Sequence, residues 1–98
     1  MERTIEQGRD TMVSLVRQMV MALVDDSEAV ELESTYCQDL VTVHVTVAQT
    51  DVGKVIGKQG RTARSMRTIL AASGMKLKVR CELNILEYAH SREREGAA

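Results

Sequence analysis

Phenylalanine and tryptophan are absent from this chain, and Tyr36 and Tyr88 are its only aromatic residues. That scarcity excludes nucleic-acid platforms that stack bases on exposed aromatic rings. The core must therefore be aliphatic, drawn from the Val, Leu, Ile, Met and Ala of a chain that is 44% hydrophobic. No apolar run approaches the roughly 20 residues that span a bilayer. The start, Met1-Glu2-Arg3-Thr4-Ile5-Glu6, is polar where a signal peptide would be basic and then apolar. Together these features predict a cytoplasmic protein with no membrane partner. Cysteine is scarce too: Cys37 and Cys81 lack the close pairing of a zinc or redox motif, which predicts buried free thiols and no metal or other cofactor.

What is present fits one small domain, since 98 residues should bury roughly 60–70% of the unfolded surface in a single core. The net charge of −1 hides a segregation of sign along the chain. Between residues 51 and 80, Lys54, Lys58, Arg61, Arg64, Arg67, Lys76, Lys78 and Arg80 accompany a single acid, Asp51. Between residues 25 and 39, Asp25, Asp26, Glu28, Glu31, Glu33 and Asp39 occur with no base. A basic face on a nearly neutral protein points to a polyanion partner. Solvated helix and strand faces are the plainer account of any one such run.

Apolar spacing predicts the elements. Met12, Val13, Leu15, Val16, Met19, Val20, Ala22 and Leu23 recur at helical period behind a cap at Asp10 or Thr11, giving a helix over 11–25. Residues 1–9 form a polar flank. Val30, Leu32 and Tyr36 alternate with polar neighbours, and after a turn near Gln38-Asp39 so do Val41, Val43, Val45 and Val47. These are two strands of a hairpin. Thr50 or Asp51 caps a short helix through Val55-Ile56, and a second helix starts near Gly60. Ala63, Met66, Ile69 and Leu70 fall on the buried side of that helix, Arg61 and Arg64 opposite, and Arg67 on the flank. Gly74 is expected to end it. Leu77, Val79, Cys81, Leu83 and Ile85 then alternate with Lys76, Lys78, Arg80, Glu82 and Asn84 as a last strand, before a polar tail from residue 87 to 98. The order is α-β-β-α-α-β.

The segment that carries chemistry is Val55-Ile56-Gly57-Lys58-Gln59-Gly60-Arg61. Glycine at both ends of a Lys-Gln pair permits positive φ angles and brings backbone N–H groups close to a phosphate chain. Other phosphate motifs fail on spacing. Gly53 to Gly57 is one residue short of a Walker A loop, Gln59 stands where the metal-binding Ser or Thr would be, and the third glycine of a dinucleotide fingerprint is missing. His44 on a strand's polar face and His90 in the tail have no nucleophile partner, and no metalloprotease or nucleophile-elbow motif occurs. The chain is not expected to be an enzyme.

A helix, a Gly-x-x-Gly loop and a second helix set between two strands resemble the KH RNA-binding domain. An added helix and strand ahead of that unit resemble its type II, bacterial form. The pattern Asp51-Val52-Gly53-Lys54-Val55-Ile56-Gly57-Lys58-Gln59-Gly60-Arg61-Thr62-Ala63 is similar to that of the KhpA family of small single-KH proteins. The resemblance covers residues 10–86 and implies an α+β fold with a three-stranded mixed sheet and the helices packed on one face. It also implies RNA-binding residues: Gly57, Lys58, Gln59 and Gly60 at the phosphates, Lys54, Arg61 and Arg64 adding charge around them, Ile56 on an apolar groove floor, and Lys78 and Arg80 on the last strand. Ala63 departs from the bulky aliphatic of many KH domains, which implies a shallower floor. The partners implied are single-stranded RNA, a second copy of the chain, and a KhpB-like RNA-binding protein. The role implied is that of an RNA chaperone tied to cell elongation and cell-wall and envelope homeostasis. The apolar first helix and any exposed sheet edge are the physical options for self-association. Against this stand two plainer readings. The spacing of Ile56, Met66 and Ile69 is what core packing requires, and a KH fold can serve as a protein-interaction adaptor without RNA. The retained basic loop argues against the adaptor.

Overall fold

The computed structural model of the chain describes residues 2–87, so the expectations for Tyr88, His90 and the rest of the tail lie outside the described residues. Helix α1 (Glu2–Met21) is followed by a 3-10 turn, strand β1 (Glu31–Cys37), strand β2 (Leu40–Val47), a second 3-10 turn, helix α2 (Val52–Ile56), helix α3 (Arg61–Leu77) and strand β3 (Arg80–Glu87). The sheet order is β1-β2-β3, with β1 antiparallel and β3 parallel to the central strand. It is a mixed three-stranded α+β sheet. Among the described residues no helix is long and apolar enough to cross a membrane.

Alternation along β2 fixes which face the helices cover. Val41, Val43, Val45 and Val47 are wholly or almost wholly buried, while the intervening Thr42, His44 and Thr46 lie on the other, open face. Register carries the same division to the neighbours: Cys81, Leu83 and Ile85 join the valine row, and Arg80, Glu82 and Asn84 join the open one. Across the covered face pack Met12, Val16 and Val20 of α1, Val55 of α2, and Met66 and Leu70 of α3. The core is aliphatic throughout.

Four local expectations change in the fold. Helix α1 starts at Glu2, so residues 2–9 are its first turns and not a flank, and Gly8 is buried where a Cβ would stand 3.2 Å from Val79. It ends at Met21 because the backbone turns there; Leu23 and Val24 still pack against the core from outside the helix. Gly74 does not end α3. The helix continues to Leu77, and Lys78 supplies the left-handed residue (φ 62°) while Val79 donates to the Gly74 carbonyl at 3.0 Å. That is a Schellman closure with lysine in the usual glycine place. Lys76 is therefore helical and Lys78 a cap, and neither belongs to the strand. Finally, Ile69 is 46% exposed because the buried stripe narrows to Ala63, Met66, Leu70 and Gly74.

The thiols also differ from expectation: Cys37 is exposed and Cys81 half-buried, and both are free. Cys37 pairs with Leu40 beside the hairpin turn, at the open end of the sheet. Tyr36, on the strand's inner side, is half-exposed and carries the Arg9 guanidinium 4.9 Å over its ring, a cation–π contact.

Gly74 is kept for space. A Cβ there would collide with the Val79 carbonyl oxygen, while Met12 Cε at 3.6 Å would be in ordinary contact with it. Since that carbonyl is backbone, the neighbour cannot yield without moving the α3–β3 connection. Gly74→Ala is expected to destabilise the fold by about 2–3 kcal/mol despite alanine's better helix propensity, measured by urea unfolding.

Candidate nucleic-acid interface

The loop between α2 and α3 is built from backbone angles that its residues dictate. Gly57 sits at φ 80°, ψ 169°, a region open essentially to glycine alone, and Gln59 and Gly60 follow in the left-handed region at φ 57° and 73°. A Cβ on Gly57 would meet the Thr62 side chain and lie 2.8 Å from the Thr62 backbone nitrogen, whereas one on Gly60 would meet nothing. The first glycine is therefore needed for both angle and space, the second for angle only.

Hydrogen bonding leaves two donors at the tip. Gly57 N–H bonds to Gly53 O at 2.8 Å, Gly60 N–H to Gly57 O at 3.1 Å, and Arg61 N–H to Lys58 O. The N–H groups of Lys58 and Gln59 stand outside these closing bonds. Lys58, Arg61 and Arg64 are exposed around them, and no ion pair among the described residues engages their charges. The positive end of α3 adds to the same field. Ile56, the last residue of α2, is 36% exposed beside the loop, an apolar surface at its foot. Ala63 lies beneath, in the core at 2% exposure.

Three other expected contacts are placed differently. Lys54 is held in ion pairs with Asp25 at 2.9 Å and Asp51 at 3.4 Å, and these acids, Asp25 first, hold its ammonium above the ordinary lysine value. Its charge is committed to the frame. Lys78 lies at the opposite end of α3, whose 17 residues put it about 25 Å from the loop. Arg80 is on the open side of the sheet, where its guanidinium lies 3.5 Å from Asp39.

Asp51, expected as a cap, makes no side-chain cap bond to α2. Its buried carboxylate instead accepts the backbone N–H groups of Asp26 at 2.9 Å and Asp25 at 3.1 Å, tying the turn after α1 to the root of α2. Those two donors, with Lys54 behind them, hold the carboxyl below the usual carboxylate range against the opposing effect of burial.

Spacing alone also passed over Arg67. One turn beyond Arg64 on the same flank of α3, it reaches across to β3 and donates to the Leu83 carbonyl at 3.1 Å. That bond marks a seam between α3 and the free edge of β3. One recess of the seam is lined by Arg67, Cys81, Glu82, Leu83 and Asn84. A second, farther from the loop, is lined by Ala71, Met75, Lys78 and Arg80 among others, so Lys78 stands at the far end of the same path. The signal was available: Gly60, Arg64 and Arg67 fall on one helical face. Among the described residues no group of His, Cys, Asp and Glu is placed to hold a metal ion.

An α-β-β-α-α-β chain with a Gly-x-x-Gly turn between its second and third helices, opening on the edge of a parallel third strand, is a type II KH domain. Residues 13–85 match the family model described as KhpA/KhpB, KH domain, and the chain belongs to that family. It is 40% identical over 75 residues to the RNA-binding protein KhpA of Caldanaerobacter subterraneus subsp. tengcongensis, covering 76% of this chain and all of that protein. The RNA-binding protein KhpA of Borreliella burgdorferi is 37% identical over 75 residues, 76% of this chain and 92% of the relative. That of Aquifex aeolicus is 45% identical over 65 residues, 66% and 82%.

Two outcomes test this frame. Gly57→Ala is expected to cost more than about 3 kcal/mol, because angle and collision add, and Gly60→Ala about 1–2 kcal/mol; chemical unfolding of both variants ranks them. Asp51, with its folded pKa depressed, contributes stability that is present above its unfolded value of about 3.9 and is lost as pH falls through the folded value. Asp51→Asn should be less stable than the parent at neutral pH and should lose stability less steeply below about pH 4, read as urea midpoints against pH.

Proposed function

We propose that this chain binds single-stranded RNA, gripping its sugar–phosphate backbone at the 57–60 loop and laying the bases along the α3–β3 seam. The observation that carries the reading is the pair of N–H groups at Lys58 and Gln59 left outside the loop's closing bonds, amid the cations Lys58, Arg61 and Arg64 that no ion pair among the described residues engages. Relatives named as RNA-binding proteins support it. In this reading Ile56, Gly57, Lys58, Gln59, Gly60, Arg61 and Arg64 touch the ligand near the loop, and Lys78 meets the strand where it leaves the seam. Lys54 and Arg80 act through their ion pairs with the frame.

One such surface meets about three or four phosphates and should bind on the order of 10⁻⁴ to 10⁻⁶ M alone. Useful affinity then requires linked copies. This supports the further reading of a cytoplasmic RNA chaperone that works as a homodimer or beside a KhpB-like partner. Its service to cell elongation and envelope homeostasis rests on family resemblance.

Fluorescence anisotropy with short single-stranded RNA tests the assignment. Lys58→Asp with Gln59→Asp is expected to leave the fold intact and weaken binding roughly tenfold or more, through repulsion of phosphate at the tip. The parent's log-affinity should fall against log-salt with a slope of about −2 to −3. Equal binding by both proteins would remove the loop from the site. No binding by the parent at low salt would favour the adaptor reading.

A further inference from the structure

Strand β3 is an edge strand, paired on one side only, with β2. Backbone groups of a strand alternate in direction with the side chains. The Leu83 carbonyl meets the Arg67 side chain and so points away from β2; Cys81, Leu83 and Ile85 therefore present their N–H and C=O groups to the seam. An open edge offers donors and acceptors alternately. Here the acceptor at the middle of the edge is already covered by a guanidinium, at 3.1 Å.

That contact changes what the edge can recognise. One Arg67 nitrogen is spent on Leu83, while a guanidinium carries five N–H donors in a rigid plane and no acceptor. The others are left for the recess bordered by Cys81, Glu82, Leu83 and Asn84, and no ion pair among the described residues engages them. An anchored fork of this kind has less rotamer freedom left to lose on binding. The seam at this level is therefore donor-rich and preset in geometry.

We propose that Arg67 is a base-reading residue that selects guanine over adenine at the middle of the α3–β3 seam. Guanine presents two adjacent acceptors, N7 and O6, which match a guanidinium bidentately; adenine replaces the second with an amino donor, which faces donors. This rests on the RNA-binding reading above, and adds sequence preference to a loop that grips only backbone. A phosphate contact by Arg67 is the competing role, and it would act equally on every sequence.

The test is anisotropy with short oligouridines carrying one central guanosine, adenosine or 7-deazaguanosine, on the parent, Arg67→Met and Arg67→Lys, with thermal unfolding as a check on folding. The parent should bind the guanosine oligomer at least about fivefold tighter than the adenosine one, and 7-deazaguanosine should forfeit most of that gain. Arg67→Met should bring the three oligomers within about twofold of one another, because the guanosine oligomer loses more affinity than the other two. Arg67→Lys, which keeps the charge without the rigid fork, should hold the adenosine affinity near that of the parent and weaken the guanosine preference. An unchanged preference in Arg67→Met, a parent that binds all three oligomers alike, or an equal loss on all three in the variant would overturn the assignment while leaving RNA binding standing. A parent that binds none of them at low salt would overturn the RNA-binding reading, and this inference with it.

Discussion

The buried carboxylate of Asp51 is the contact on which the placement of the loop depends. An ionised group in a dry site is costly unless every lone pair is met, and here two backbone N–H groups from the turn after α1 and the ammonium of Lys54 meet it. Because the two amides lie 26 and 25 residues from Asp51 in sequence, their bonds fasten the turn after α1 to the root of α2. Helix α2 is only five residues long and could not hold its own orientation. With its root fixed and Val55 in the core, its far end carries Gly57 to a defined place.

From there geometry passes through glycine. Gly57 takes an angle barred to other residues and lets Thr62 approach, so the chain reverses within four residues and α3 sets off at once. The same short reversal leaves the N–H groups of Lys58 and Gln59 outside its closing bonds. Helix α3 then runs beside the β3 edge and is held to it at two levels, by Arg67 on Leu83 at mid-seam and by the Gly74 approach to Val79 at the far end. Charge follows this architecture: Lys58, Arg61 and Arg64 at the loop are in no ion pair among the described residues, while Lys54 is matched with Asp25 of the turn after α1 and Arg80 with Asp39 of the hairpin turn.

Much of this was legible in the residues. The valine alternation of β2, the Gln38-Asp39 turn, the element order and the Gly-x-x-Gly loop all follow from local period and local φ/ψ demands, and each stands where it was expected. The misplacements share a cause. Gly74 reads locally as a helix stop, yet α3 runs on past it, and it is the carbonyl of Val79, five residues later in the chain, that leaves no room for a side chain there. Asp51 reads locally as a cap, yet distant amides claim its oxygens. Lys54 reads as one more cation near the loop, yet Asp25 holds it. Ile69 reads as core by period, yet the packed stripe is narrower than the apolar one.

By itself, then, the sequence determined the elements, the loop and the chemistry the loop carries, because helical period, strand alternation and glycine's freedom act over a few residues. Which cations remain free for a ligand was decided only in three dimensions, because ion pairing depends on where distant acids are brought. The same holds for Arg67. Its flank position is a property of the helix, but a partner on β3 exists only once the strand lies alongside, and only then does an exposed arginine become a fixed set of donors.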